Sequence, residues 1–232
     1  MPAKTALITG GSRGIGLATA QRFAQQGYNV VIVARQATGV HEALKQLAAG
    51  GAKCEGVAAD VGRPDGARLA VEAATARFGR IDVLVNNAGH APVVAVEAMS
   101  DEEYRATLAA NCDATFYMTR AVWPVMTRQA DGVIVNVSSR AAVDPFPGFA
   151  VYGACKAWVN TFTQATAAEG KKTGIRVFCI GPGATETAML RGAFPDLPSS
   201  AVLAPADIAA AIEGLCDPRW AHSVGQTIYV QR

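Results

Sequence analysis

TALITGGSRGIG, residues 5–16, runs from an apolar pentapeptide straight into three spaced glycines. TALIT has the composition of a short strand, with none of the polar alternation of a half-exposed one, so it reads as buried on both faces. Gly10, Gly14 and Gly16 come next with the spacing G-x-x-x-G-x-G, and a helical pattern opens at about residue 15. Glycines there let the chain turn tightly and let a ligand approach the backbone. The helix start adds unpaired N–H groups and the positive end of a dipole, which suits a pyrophosphate. Taken alone, the turn could simply join a strand to a helix. Its meaning depends on the pattern of the rest of the chain.

Beyond the turn, strands and helices alternate. Val- and Ile-rich runs occur at 5–9, 29–34, 54–59, 81–86, 132–137, 175–180 and 226–230. Amphipathic patterns lie between them, near 15–26, 40–49, 65–78, 101–127, 151–170 and 205–216. Such an order implies right-handed βαβ crossovers and a parallel sheet. The expected fold is therefore α/β: a single-domain Rossmann fold over residues 1–232, with a doubly wound parallel seven-stranded sheet and helices on both faces. The one late Pro/Gly/Ser-rich stretch, GAFPDLPSS at 192–200, reads as part of a loop or lid over a site, spanning about 184–204.

Composition narrows the function classes. The chain has 232 residues, enough for a large core, and 50% of them are hydrophobic against 17% charged. A net charge of +2 with no run of like charges gives no reason to expect a nucleic-acid or membrane partner. The five cysteines contain no C-x-x-C pair, which points to reduced thiols in a cytoplasmic compartment. MPAKTALITG is too short an apolar run for a signal peptide, and no stretch reaches the ~20 apolar residues of a membrane span. No His, Cys or carboxylate cluster has metal-ligand spacing, so no metal is expected.

The spacing T-G-x-x-x-G-x-G at 9–16 and Asn86-Asn87-Ala88-Gly89 after the fourth strand resemble the short-chain dehydrogenase/reductase family, in particular its 3-oxoacyl-ACP reductase-like carbonyl reductases. The resemblance runs from Thr5 to the C-terminal G-Q-T-I-Y-V. It implies a nicotinamide dinucleotide cradled by Gly10, Ser12, Arg13, Gly14, Ile15 and Gly16. Asp60 and Val61 would meet the adenine, and Asn87, Ala88 and Gly89 would let the cofactor lie against the backbone. Pro182, Gly183, Thr185 and Thr187, from G-P-G-A-T-E-T, would contact its nicotinamide end.

The second strand ends V-A-R-Q. Ala34 stands where NAD-preferring relatives carry Asp, and Arg35 is next in the chain. An arginine fork matches a phosphate, and Arg13 with Arg35 would favour the 2′-phosphate of NADP, whereas an aspartate would repel it. Either arginine alone would pass for a solvated side chain. The expectation is NADP(H) preferred, with NAD(H) possible.

Tyr152 and Lys156 lie four apart in a helical pattern and so share a face. Any tyrosine has roughly a one-in-twenty chance of such a lysine from composition. With five tyrosines the pair means little until its place after the fifth strand is considered. Reduction of a carbonyl leaves an alkoxide that needs a proton. A phenol can supply it if its pKa falls from the usual ~10. Lys156 and an oxidised nicotinamide are expected to lower it. The resemblance makes Tyr152 the acid/base and gives Lys156 a bond to the nicotinamide ribose. Ser139, thirteen residues before Tyr152, becomes the donor that polarises the substrate carbonyl. Adjacent Ser138 should face the other way and satisfy local backbone groups. Asn111 sits awkwardly within the helix expected over 101–127; its family counterpart holds a water that relays protons to the lysine.

Substrate contacts are expected from Ser139, Tyr152, His90, Phe149 and Met189, with Ala141, Phe146, Pro147 and Phe194 as further apolar candidates. Arg140, where a small residue is usual, either points to solvent or faces the substrate and favours an anion; solvent is the plainer reading. The reading as a whole is an NADP(H)-dependent oxidoreductase interconverting a ketone or 3-oxoacyl group and a secondary alcohol. Its alternatives are an NADP(H)-sensing regulatory protein on the same fold and a family enzyme for imines, pteridines or sugars. The long helices near 101–127 and 151–170, with Phe116, Trp123, Trp158 and Phe162, are expected to form a homodimer or homotetramer.

Overall fold

The computed structural model describes residues 2–232. Seven strands form: β1 (Thr5–Thr9), β2 (Asn29–Ala34), β3 (Cys54–Ala58), β4 (Val83–Asn86), β5 (Gly132–Val137), β6 (Ile175–Pro182) and β7 (Thr227–Val230). Between and around them lie α1 (Gly14–Gln25), α2 (Ala37–Ala49), α3 (Pro64–Phe78), α4 (Asp101–Leu108), α5 (Ala114–Gln129), α6 (Ala150–Gly170), α7 (Ala188–Ala193) and α8 (Pro205–Leu215). All strands pair in parallel, in the order β3-β2-β1-β4-β5-β6-β7. This is the doubly wound sheet that the alternating pattern predicts.

The unbroken apolar strands reflect two cores, one on each face. Ala6 and Ile8 of β1 and Val30 and Ile32 of β2 belong to the core under α1, α2 and α8, where Phe23, Leu47 and Ile208 pack. Leu7, Val31 and Val33 point to the opposite core, against Val71 of α3 and Met118 and Met126 of α5. A strand with side chains alternating between two dry faces is mostly apolar, and its few buried polar residues must find hydrogen-bond partners.

β1 sits between β2 and β4, so the winding reverses beside it and a crevice opens at the C-terminal ends of β1 and β4. Both quoted motifs lie there: the glycine loop after β1 and Asn87-Ala88-Gly89 after β4.

The continuous helix expected over 101–127 is two helices joined by a π-helical turn at Ala109–Asp113. Asn111 Nδ2 donates to the Thr107 carbonyl at 2.9 Å, and Thr115 Oγ1 donates to the Asn111 carbonyl at 2.8 Å. These side-chain bonds to carbonyls four residues back accompany the widened turn. The sequence pattern also shows no helix at 188–193, where α7 forms. β6 extends two residues past its expected end, to Pro182.

The segment at 184–204 is closed at its base. Glu186 N–H donates to the Leu203 carbonyl and Leu203 N–H to the Ala184 carbonyl, both at 2.9 Å. Among the described residues no helix is long and apolar enough to cross a membrane.

Candidate active site

A cleft of about 640 Å³ runs along the C-terminal edge of the sheet from α2 to the loop around α7. Its first end is made of backbone. Gly10 has φ +63°, and a Cβ there would come 2.9 Å from Asn87 Nδ2. Gly16 begins the close packing of α1 on the loop: a Cβ on it would collide with the Gly10 carbonyl oxygen. Any side chain at 16 therefore breaks the turn. Among the described residues no side chain caps the N-terminus of α1, so its N–H groups and dipole face the cleft unneutralised. The loop is braced from the neighbouring strand. Asn87 Nδ2 donates to the Thr9 and Gly10 carbonyls at 3.0 and 3.3 Å, and Thr9 Oγ1 accepts from Asn87 and Ala88 N–H, both at 3.0 Å. Thr9 is a brace that the glycine spacing does not reveal.

Ser12, Arg13, Gly14 and Ile15 line this end, as does Arg35. Arg13 and Arg35 are exposed, and among the described residues neither has an acidic partner within ion-pair distance. Asp60 and Val61 close the side wall, where Asp60 Oδ1 accepts from Gly62 N–H at 3.0 Å. Uncapped helix donors, glycines with no room for a Cβ and two unpaired arginines fit the phosphates of a dinucleotide in charge and in space.

Ala88 and Gly89 carry the wall to the second end, where Ser139, Tyr152 and Lys156 meet. Parallel pairing of β5 with β4 and β6 delivers Ser139 to the sheet edge, and α6 begins two residues before Tyr152. Lys156 is 4% exposed; its Nζ donates to the Val137 carbonyl at 2.9 Å and lies 5.6 Å from the Tyr152 ring centroid. Ser138 Oγ donates to the Lys156 carbonyl at 3.0 Å, tying α6 to β5. This is the backbone role expected of Ser138. Ser139 lines the cleft, and its Oγ accepts from Ala141 N–H at 3.1 Å. Below them a buried chain runs from Asn86 Nδ2 to Asn136 Oδ1 at 2.8 Å, and from Asn136 Nδ2 to Thr163 Oγ1 at 2.9 Å. It fixes β4, β5 and α6 in register, and nothing in the spacing of Asn136 announces it.

The proton balance differs from the sequence expectation. Burial, not Lys156, is the largest influence on the Tyr152 phenol, and it pushes the pKa up; the nearby Ser139 hydroxyl draws it partly back down. Burial also lowers Lys156 to about 8. Lys156 is buried and Tyr152 partly buried, so desolvation disfavours the charged form of each.

Asn111 and Gly16 do not line the cleft. Asn111 lies behind Gly89. Its Nδ2 donates to the His90 carbonyl at 2.7 Å, while its Oδ1 is buried with no partner among the described residues. A Cβ on Gly89 would fall 3.0 Å from that oxygen and 3.6 Å from Lys156 Nζ. The π turn, the bare glycine and the orphaned oxygen together leave a small polar space beside the lysine ammonium.

Pro182, Gly183, Thr185 and Thr187 line the cleft from β6 and the loop after it. Among the substrate candidates His90, Phe146, Phe149, Met189 and Phe194 do so too, whereas Ala141 and Pro147 do not. His90 Nε2 is bonded to Glu103. Arg140 is off the cleft, 3.6 Å from Asp144 and 5.9 Å from the Tyr229 ring centroid. Its side chain is 42% exposed and does not line the cleft.

The family model for short chain dehydrogenases matches residues 4–198. The chain belongs to that family. Relatives of this oxidoreductase family resemble it over nearly their full length. The 3beta-hydroxysteroid dehydrogenase 1 of Eggerthella lenta is 34% identical, the match covering 98% of this chain and 92% of that protein. The 3-ketoacyl-(acyl-carrier-protein) reductase of Brucella melitensis, solved with NADH, superposes with a TM-score of 0.90 at 36% identity, covering 99% and 97% of the two chains. Actinorhodin polyketide ketoreductase, solved with NADPH, gives 0.94 at 30% identity, covering 100% and 98%.

Proposed function

We propose that this chain is an NADP(H)-preferring oxidoreductase that interconverts a ketone or 3-oxoacyl group and a secondary alcohol. One observation carries the reading. Tyr152, Ser139 and Lys156 converge at one end of a cleft whose other end presents a glycine-lined helix start and two unpaired arginines. The named activities of the relatives, on steroid alcohols and 3-ketoacyl groups, are of this class. Their cofactors, NADH in one structure and NADPH in another, leave the preference to this chain's own residues. Ala34 and the two arginines favour the extra phosphate.

The glycine loop and the α1 terminus would hold the pyrophosphate, Arg13 and Arg35 the 2′-phosphate, and Asp60 and Val61 the adenine. Ala88, Gly89, Thr185 and Thr187 would meet the nicotinamide half. When bound, the reduced nicotinamide supplies a hydride. Ser139 Oγ donates to the substrate oxygen and polarises its carbonyl. The Tyr152 phenol gives that oxygen a proton. Lys156 holds positive charge beside the phenol and bonds the ribose. Asn111 Oδ1 accepts from a water that reaches Lys156 Nζ and restores the proton. Burial keeps the phenol protonated until a substrate needs it.

The outer faces of α5 and α6 suit self-association. Trp158 and Phe162 stack at 4.8 Å, and Phe116 and Trp158 remain exposed. We assign this face to a homodimer or homotetramer contact.

Replacing Tyr152 tests the chemistry directly. In Tyr152→Phe, carbonyl-dependent NADPH oxidation should fall by about 10³-fold, while NADPH affinity by fluorescence titration stays within about threefold. Full turnover in the variant would remove Tyr152 from the acid role.

A further inference from the structure

Three phenylalanines cluster in the cleft, and one of them, Phe149, packs against Tyr152. Phe146 and Phe149 come from the turn before α6, and Phe194 from the residue after α7. Their ring centroids form a near-equilateral triangle: 5.8 Å for Phe146–Phe149, 5.9 Å for Phe146–Phe194 and 6.0 Å for Phe149–Phe194. The Phe149 ring is 5.2 Å from that of Tyr152. Phe149 is buried, whereas Phe146 is 55% exposed, and all three line the cleft. Two distant chain segments therefore meet in one aromatic surface beside the phenol. Such a surface favours a flat ring, which gains offset or edge contacts beyond simple burial. A flexible alkyl chain would lose more rotational freedom for the same contact.

The more exposed basic groups at this end already have acidic partners. Arg140 pairs with Asp144 away from the cleft. Arg191 donates from Nε and a terminal nitrogen to the two oxygens of Glu186 at 2.7 and 2.5 Å, and also to the Leu197 carbonyl. Lys156 is bonded to the Val137 carbonyl and His90 to Glu103. Among the described residues lining this end, Lys156 alone is basic without an acidic partner, and it is 4% exposed beside Tyr152, so a carboxylate or phosphate farther out on the substrate meets no free arginine or lysine. Arg191 also ties α7 to the chain beyond Phe194, so it positions that ring.

We propose that Phe146, Phe149 and Phe194 are specificity-determining residues that select a neutral ketone bearing an aromatic or fused-ring group next to its carbonyl. This narrows the reading of Tyr152 as the acid and rests on it.

The test compares 2-acetylnaphthalene with 2-undecanone as substrates for NADPH oxidation, and 4-acetylbenzoate with its methyl ester. Native protein should prefer the naphthyl ketone in kcat/KM by about tenfold or more, and the ester over the carboxylate by about tenfold. Phe194→Leu and Phe146→Leu should each bring the naphthyl-to-alkyl ratio within about threefold of unity. Phe146 is exposed and Phe194 only partly buried, and both changes keep an apolar side chain, so neither variant should lose the fold; thermal melts check this. An alkyl preference in native protein, or a ratio unmoved in both variants, overturns the wall. Equal use of acid and ester overturns the demand for neutrality. Butane-2,3-dione, too small to need the wall, is the control for the parent reading. If native protein reduces no carbonyl at all, including this one, the oxidoreductase reading fails instead. Calorimetry then decides the wall: about tenfold weaker binding of 2-acetylnaphthalene to Phe194→Leu sustains it, and equal binding overturns it.

Discussion

At one end of the cleft Arg13 and Arg35 stand in solvent with no acid among the described residues within ion-pair distance; at the other Lys156 is buried and bonded to the Val137 carbonyl. The first end keeps its charges hydrated, where salt screens them and a phosphate can recruit them at small desolvation cost. The second end has removed its charge from water, which lowers the lysine to about 8 and raises the phenol. Exposed cations suit recognition of a ligand that comes and goes. A dry, partly neutralised corner suits proton transfer, where pKa values must approach the working pH. A substitution at the buried end should therefore act on turnover, and one at the exposed end on binding.

The sharpest way to break this contrast is to fill the space between Asn111 and Lys156. Gly89→Ala would place a Cβ 3.0 Å from Asn111 Oδ1. It should lower kcat by about 10²-fold, since small displacements at a reacting centre cost that much. Single-turnover kinetics with NADPH and a reducible ketone would show the loss in the chemical step, and an unchanged kcat would mean that the space has no part in it.

Arg35→Asp probes the opposite end. NADPH should bind about tenfold or more weakly, the loss of one charge-assisted contact, and NADH should become the better ligand. The native preference should also shrink as salt rises. Fluorescence titrations at low and high ionic strength read both effects. A preference for NADPH that survives the substitution would leave Arg13 as the phosphate ligand.

The smallest effect concerns stability. Lys156 is lowered from its ordinary value near 10.5 to about 8 in the folded chain. Between those values the unfolded chain binds more protons, so this group's contribution to stability rises with pH and is least favourable below about 8. Urea midpoints measured from pH 7.5 to 10.5 should rise more steeply in the native protein than in Lys156→Met. Parallel curves would show that the lysine titrates alike in both states.

Much of this was legible in the chain itself. Unbroken apolar strands between amphipathic helices specify a parallel sheet because both faces must be covered, and β1, β2 and β5 begin and end where the sequence pattern puts them. The glycine loop announced its own place, since glycine is favoured at the positive φ of Gly10 and no side chain fits the contact between Gly16 and the Gly10 carbonyl. The π turn was hidden. Helical periodicity passes unbroken through 109–113, and the widened ladder there shows only in the backbone and in the side-chain bonds of Asn111 and Thr115. The aromatic triangle was equally hidden, because Phe194 lies 45 residues or more from Phe146 and Phe149 and shares no period with them.

By itself the sequence determined the order of elements, the sheet they must form, the glycine turn and the candidate Tyr152–Lys156 pair, because these depend on local conformation and on the alternation of polar and apolar side chains. Tertiary structure alone decided that burial would dominate both titrating groups, that Asn111 would present an unpartnered oxygen behind Gly89, and that Arg140 and Arg191 would be spoken for by acids. Those properties belong to distances between residues far apart in the chain and to how much water remains between them. No spacing along the sequence encodes either quantity directly.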